Sequence, residues 1–302
     1  MLTRLTRLAL VPLALALASS SLLAPSQSGA VTGKNIVDDF EHEYVGLVAF
    51  YDAEGEFLHR CTGTLLSPEV FLTAGHCVAA DDEGNVAPLA RIWFEQDAGV
   101  GYDPATGTPA PSGYPESGGV TSTMLYNYGF TDLSTIPETK DVGLIVLEPG
   151  AVEAVYPEID TYGTLAGIGD ANLLGTGRDA VVTVSGYGVT RTNGKNGNNT
   201  VSFRERKMGQ TFIISTRNQD TAGYNLQLAS NPGGGRVGTC FGDSGGPVFA
   251  GDTNTVLAVN SWVKNWSCGG QGFSYRVDTA DVQAWMESVL APLGLWDDVA
   301  PA

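Results

Sequence analysis

One glycine-rich segment of the chain holds a candidate nucleophile: in Cys240-Phe-Gly-Asp-Ser-Gly-Gly-Pro247, Ser244 is flanked by Gly242, Gly245 and Gly246. A serine nucleophile needs an exposed hydroxyl and backbone N–H groups aimed at the oxyanion of the transition state, and glycines let the main chain take that shape. The same residues make a good turn, and on this segment alone a plain turn is at least as good a reading. Serine also needs a base. Three histidines are available, His42, His59 and His76. His76 stands in Phe71-Leu-Thr-Ala-Gly-His-Cys77, directly before a cysteine that can pin the local backbone. His42 lies in the acidic stretch Asp38-Asp-Phe-Glu-His-Glu43 and reads as solvated surface, while His59 carries no cue beyond its closeness to Cys61. A third group must orient the imidazole and stabilise its charged form. Asp141, at the mouth of the apolar run 142–147, suits that task, although a lone Asp there reads first as a strand-start turn residue. The three readings become strong only jointly.

Chain order discriminates among hydrolase types. Gly242-x-Ser244-x-Gly246 also matches the nucleophile elbow of α/β-hydrolases, which run serine, acid, histidine. No histidine follows Ser244, so that fold has no base to offer. Subtilisin order needs the acid before His76, where no fitting motif is visible. The order His76, Asp141, Ser244 is that of the chymotrypsin type.

Short strands must carry these groups. The segments 44–50, 90–94, 142–147, 180–184, 211–215 and 255–262 are rich in β-branched and aromatic residues and bounded by Gly, Asn, Asp or Pro. Turn signals stand at Asn193-Gly194, Asn196-Gly197 and Asn231-Pro232-Gly233. Val282, Trp285, Met286, Val289 and Leu290 recur at the spacing of one buried helical stripe, with Asp278 or Thr279 placed to cap it. Residues 98–140, rich in Gly, Pro, Ser, Thr and Tyr, read as one long surface excursion or a pair of loops. Many strands with one late helix predict an all-β fold of sandwich or barrel type.

Composition bounds the partners. The chain has 302 residues, 16 Lys+Arg against 33 Asp+Glu and a formal net charge of −17. So acidic a chain is no nucleic-acid binder, since that affinity rests on basic residues neutralising phosphates. Arg4 and Arg7, a short apolar run and the small-residue stretch ending at Ala30 form a secretory signal pattern over residues 1–30, with cleavage after Ala30. Its removal takes two arginines and no acid, moving −17 to −19. The acidic patch Asp81-Asp82-Glu83 lacks the spaced ligand pattern of a calcium loop. Export permits disulfides. The four cysteines allow three pairings, of which the sequence-local couples Cys61/Cys77 and Cys240/Cys268 are preferred, and without any C-x-x-C element they do not read as a zinc site.

Taken together, Leu72-Thr-Ala-Gly-His-Cys77, Asp141-Val-Gly-Leu-Ile-Val-Leu147, Gly186-Tyr-Gly188, Gly242-Asp-Ser-Gly-Gly-Pro247, Ser261-Trp262 and Gly272-Phe-Ser-Tyr-Arg-Val277 resemble the chymotrypsin/trypsin-like serine proteases, most of all the secreted bacterial members. The resemblance implies one protease domain over 31–302: two six-stranded antiparallel β-barrels, a site in the cleft between them and a C-terminal α-helix. It implies His76 as general base, Asp141 as its orienter, Ser244 as nucleophile, and an oxyanion hole from the N–H groups of Gly242 and Ser244. It implies the Cys61–Cys77 and Cys240–Cys268 bridges. The chemistry calls for no cofactor and no metal. The expected partner is a protein or peptide substrate, met by a secreted monomer with no membrane attachment once the signal is removed. A non-catalytic binding protein on the same fold, or an esterase using the same triad, are the competing readings.

Two implications are finer. The resemblance puts the pocket floor six residues before the nucleophile, at Gly238, and its walls at Val263 and Gly272, beside Ser261 and Trp262. Trypsin-type members carry Asp at the floor; a glycine floor with a valine wall predicts a small or medium uncharged P1 side chain, unless Lys264 or Arg236 enters and invites an acidic one. Activation in the family pairs a new N-terminus with the acid before the nucleophile, here Asp243. Ile36-Val37 is one candidate start, which makes 31–35 a short propeptide; a start at Val31 is the other.

Overall fold

The computed structural model describes residues 31–33, 35–38, 41–81, 85–98, 118–189, 204–230 and 235–301. The leader at 1–30, Asp82-Glu83 and the three turn signals lie outside them. The chain enters through two short strands, β1 (Thr32–Gly33) and β2 (Ile36–Val37). Six strands then follow: β3 (Val45–Tyr51), β4 (Phe57–Ser67), β5 (Val70–Thr73), β6 (Leu89–Trp93), β7 (Val120–Asn127) and β8 (Gly143–Leu147). They close in the order β3-β4-β5-β8-β7-β6 into an antiparallel barrel. The two-residue β9 (Thr164–Leu165) precedes the second set: β10 (Val181–Gly186), β11 (Lys207–Ser215), β12 (Asn225–Ser230), the short β13 (Val237–Gly238), β14 (Pro247–Ala250), β15 (Thr255–Val263) and β16 (Gly270–Arg276). The path β10-β14-β15-β16-β12-β11 closes on itself through β10–β11, giving a second six-stranded barrel. Closure removes sheet edges, and the inward side chains fill each interior.

Runs such as Gly143-Leu-Ile-Val-Leu147, buried along their whole length, explain why barrel strands here read as continuous apolar segments. The excursion assigned to 98–140 needs correction. Its latter part holds β7, which pairs with β6 and β8 inside the first barrel. The polar start Thr121-Ser-Thr123 hid it: Thr121 and Thr123 are exposed, the half-buried Ser122 accepts the Ala90 N–H on its Oγ at 2.9 Å, and Thr123 Oγ1 donates to the Val146 carbonyl at 2.9 Å.

Three short helical turns, α1 (Gly75–Val78), α2 (Ala151–Val155) and α3 (Asp170–Leu174), precede the C-terminal α4 (Ala280–Leu290). Val282, Met286 and Leu290 of α4 are buried in an apolar cluster that takes in the first barrel's strands and part of the second, and Trp285 meets Tyr128 at 5.1 Å between ring centres. Neither expected cap holds. Thr279 stands at the N-cap position without a side-chain bond, and the Asp278 carboxylate is taken by Arg276 and the Ala171 N–H.

A buried knot joins the entering strap to both barrels. Asp38 accepts hydrogen bonds from His42 Nδ1 (3.0 Å) and Ser185 Oγ, with Arg206 Nε 3.7 Å away. Arg206 also donates to the Val45 and Phe94 carbonyls. Burial opposes ionisation of Asp38, but the His42 and Arg206 charges outweigh it and hold the carboxyl below its usual range. His42 is therefore not surface: it is buried, stacked on Phe249.

Candidate active site

His76 belongs to α1, the single turn that follows β5, and the Cys61–Cys77 bridge ties that turn back to β4. Asp141 stands just before β8, the neighbour of β5 in the sheet, so two adjacent strands of one barrel deliver both groups. Asp141 is fully buried and accepts the His76 backbone N–H at 2.7 Å, His76 Nδ1 at 2.9 Å, and the Ser261 hydroxyl from β15 of the other barrel. An Nδ1–H donated to a carboxylate leaves Nε2 as the basic nitrogen. Burial opposes charge on both partners. Their mutual attraction wins, holding the Asp141 carboxyl below its usual range and raising the His76 imidazole above 6.5.

Ser244 enters from the loop before β14 and lines the same cavity as His76, a cleft of about 300 Å³. Among the described residues no hydrogen bond joins its hydroxyl to His76. The loop around it is held by its carbonyls: Phe241 O accepts from Val189 N (2.9 Å), Gly242 O from Thr62 Oγ1 (2.8 Å), Asp243 O from Gly246 N (2.9 Å) and Ser244 O from Thr62 N (2.8 Å). Among the described residues, neither the Gly242 nor the Ser244 N–H has a protein acceptor. With their carbonyls pinned, these two donors are free for a ligand oxygen. Gly242 has φ +98°, a backbone that favours glycine. At Gly245 a Cβ would overlap Thr73 Oγ1 and stand 2.5 Å from the Thr62 carbonyl, so the loop approaches the first barrel only as glycine.

Asp243 is wholly buried, accepting the N–H groups of Gly188 (2.8 Å) and Cys240 (2.9 Å). Burial pushes its carboxyl up to about 7, against those bonds and the Arg60 charge. Ile36 is 57% exposed and pairs with Met208, whereas Val31 is completely buried in the second barrel's core. Thr32 lies opposite Gly238. Continuing that antiparallel register by one residue brings Val31 beside Thr239, next to the Cys240 whose N–H bonds Asp243.

The remaining expected residues divide. Ser261, Trp262 and Val263 line the cavity; Gly238 and Gly272 do not. The buried Ser230 stands against both glycines: a Cβ at Gly238 would lie 2.6 Å from Ser230 Cβ, and one at Gly272 3.3 Å from Ser230 Oγ. Phe130, Leu133, Thr239 and Phe241 also line the cavity and were missed, since nothing in their neighbours marks a cleft wall. Neither Lys264 nor Arg236 enters. Lys264 pairs with Asp220 at 2.5 Å, and Arg236 lies over the Phe212 ring. His59 donates to the Cys77 carbonyl at 2.6 Å and braces the His76 turn from behind. Cys240 and Cys268 are bridged, joining the Ser244 loop to the segment after Trp262. Cys61, His76 and Cys77 sit close enough to suggest metal ligands, but the two sulfurs are bonded to each other and offer no thiolates.

Comparison with known proteins agrees with this architecture. A family model described as Trypsin matches residues 39–104 and 132–286. A curated relative, fibrinolytic enzyme isozyme C of Lumbricus rubellus, is 27% identical over 230 residues, covering 71% of this chain and 81% of the relative. Two solved structures share the fold. HL collagenase superposes with a TM-score of 0.58 at 19% identity, covering 88% of this chain and 97% of that one. A thermostable serine protease, AL20, from an extremophilic microorganism gives 0.51 at 16% identity, covering 82% and 99%.

Proposed function

The chain belongs to the trypsin family of serine proteases, and we propose that it is a secreted endopeptidase of the bacterial type working through His76, Asp141 and Ser244. The observation that carries this reading is the Asp141–His76 pair opening on the cavity that Ser244 lines, beside two backbone N–H groups without protein acceptors. In the proposed reaction the Ser244 hydroxyl attacks the scissile carbonyl while its proton passes to His76 Nε2. The Gly242 and Ser244 N–H groups hold the oxyanion. His76 then gives the proton to the leaving amine, and water releases the acyl group by the same route. Asp141 stays ionised throughout and stabilises the imidazolium.

Ser230 packed against Gly238 and Gly272, Val263 in the cavity lining, and Lys264 and Arg236 engaged elsewhere support a small uncharged P1 side chain. The signal-like first thirty residues support export. The buried Val31 and the exposed Ile36 support cleavage after Ala30 as the single maturation step, with no propeptide. The Val31 ammonium then becomes the partner of Asp243.

The test is labelling of the mature protein by a fluorophosphonate, with Ser244→Ala as control, followed by cleavage of a mixed peptide library. Labelling of wild type alone, with cuts after small uncharged residues, is expected. No labelling would defeat the enzyme reading for this triad; labelling without peptide cleavage would mean an esterase.

A further inference from the structure

We propose that Arg60 is a positioning residue of the Ser244 loop, its guanidinium packed on the Gly242 α-carbon so that the Gly242 N–H keeps its aim into the cleft. The inference rests on the oxyanion role proposed for Gly242. Arg60 lies on β4, opposite Ala49 of β3 and two residues before Thr62, the residue that pins Gly242 O and Ser244 O. The guanidinium occupies the space a side chain at 242 would take: a Cβ there would overlap Nη1 and stand 2.8 Å from Cζ and 3.0 Å from Nη2. Gly242 is thus required by its backbone and by the arginine laid against it. One strand of the first barrel thereby holds the loop by two different means, hydrogen bonds from Thr62 and packing with charge from Arg60.

The placement has an electrostatic side. The adjoining Asp243 is buried with two backbone N–H donors, and the Arg60 charge favours its ionised form. That charge also lies beside the peptide that would meet a developing oxyanion, where a fixed cation in a partly water-excluded site gains strength. A hydrophobic residue at position 60 would keep the strand and lose both effects.

Steady-state kinetics on Arg60→Met and Arg60→Lys, using a peptide anilide that has no amino acid beyond the scissile bond, tests this. Removing an oxyanion donor outright costs about 10²–10³ in kcat. Losing its support is expected to cost roughly tenfold in kcat for Arg60→Met, with KM within about twofold and an intermediate loss for Arg60→Lys. Millimolar guanidinium is expected to restore part of the kcat of Arg60→Ala. A wild-type kcat in Arg60→Met on the anilide overturns the proposal, as does a loss confined to KM. Should Arg60→Met fail to fold, Arg60→Lys and the rescue of Arg60→Ala decide. Ser244→Ala run alongside separates the two levels. If it retains turnover, the Ser244 mechanism whose oxyanion Gly242 is proposed to hold falls; if it is dead while Arg60→Met is unimpaired, only the role of Arg60 does.

Discussion

Thr62 Oγ1 donates to the Gly242 carbonyl at 2.8 Å, across 180 positions of sequence. The same oxygen accepts the Tyr187 N–H at 3.1 Å, and the Thr62 N–H donates to Ser244 O. Thr62 of β4 thus registers the Ser244 loop against the barrel that carries His76 and Asp141. Thr62→Val should leave Gly242 O and Tyr187 N unpaired at a buried place, costing about 1–3 kcal/mol of stability. Thermal melts and kcat measured together should both fall, with KM little changed.

Asp141→Asn removes the charge that raises the His76 imidazole. A base works only when deprotonated, so activity rises with pH through the His76 pKa, and wild type should show an acid limb above 6.5. Without the carboxylate that limb should move to lower pH, while the plateau kcat drops by about 10⁴ as the tautomer is lost. A pH–rate profile on both proteins shows both shifts, and an unmoved limb would contradict the proposed pairing.

Asp243 links stability to maturation. Its folded pKa, about 7, lies above the ordinary carboxyl value of 3.8. Between those values the folded chain holds more protons than the unfolded one, so stability falls as pH rises from about 4 to 7. A chain still carrying residues before Val31 should show that decline. One starting at Val31, with an ammonium against the carboxylate, should show little of it. Melting temperatures of the two forms across that window, with N-terminal sequencing of secreted protein, decide the point.

Gly238→Asp alone should not create cleavage after Lys or Arg. The new Cβ would stand 2.6 Å from Ser230 Cβ, so an aspartate there cannot be seated without displacing Ser230. Loss of activity or of folding is expected, and only a companion Ser230→Gly should open the space. Profiling P1 preference in the single and double variants reads this directly.

Chemical scarcity made much of this legible. With three histidines and a fixed order of acid and serine, the residues pointed to His76, Asp141 and Ser244, and the closed barrels agree with the short β-branched runs. What stayed hidden depends on partners distant in the chain. His42 looked solvated because its neighbours are acidic, yet Asp38 is buried by Ser185 and Arg206, more than 140 residues on. Strand β7 was masked by its polar start, Thr121-Ser-Thr123, and Ser230 gave no sign that it would pack against Gly238. Thr62 is an unremarkable strand residue until the second barrel arrives.

The C-terminal helix has a consequence for how the chain is made. One apolar cluster takes in the first barrel's strands, Phe249, Val256 and Tyr275 of the second, and Val282, Met286, Leu290, Leu295 and Val299, so it is complete only once the last of these has been synthesised. A nascent chain must expose that face throughout translation or export, the period when unfinished cores are most open to misassembly. Because His76 and Asp141 are carried by strands of that cluster, under the proposed mechanism the delay would act as a timer. Proteolytic competence would then arrive only with a finished polypeptide, after the stage at which the enzyme's own unfolded sequence would be its nearest target.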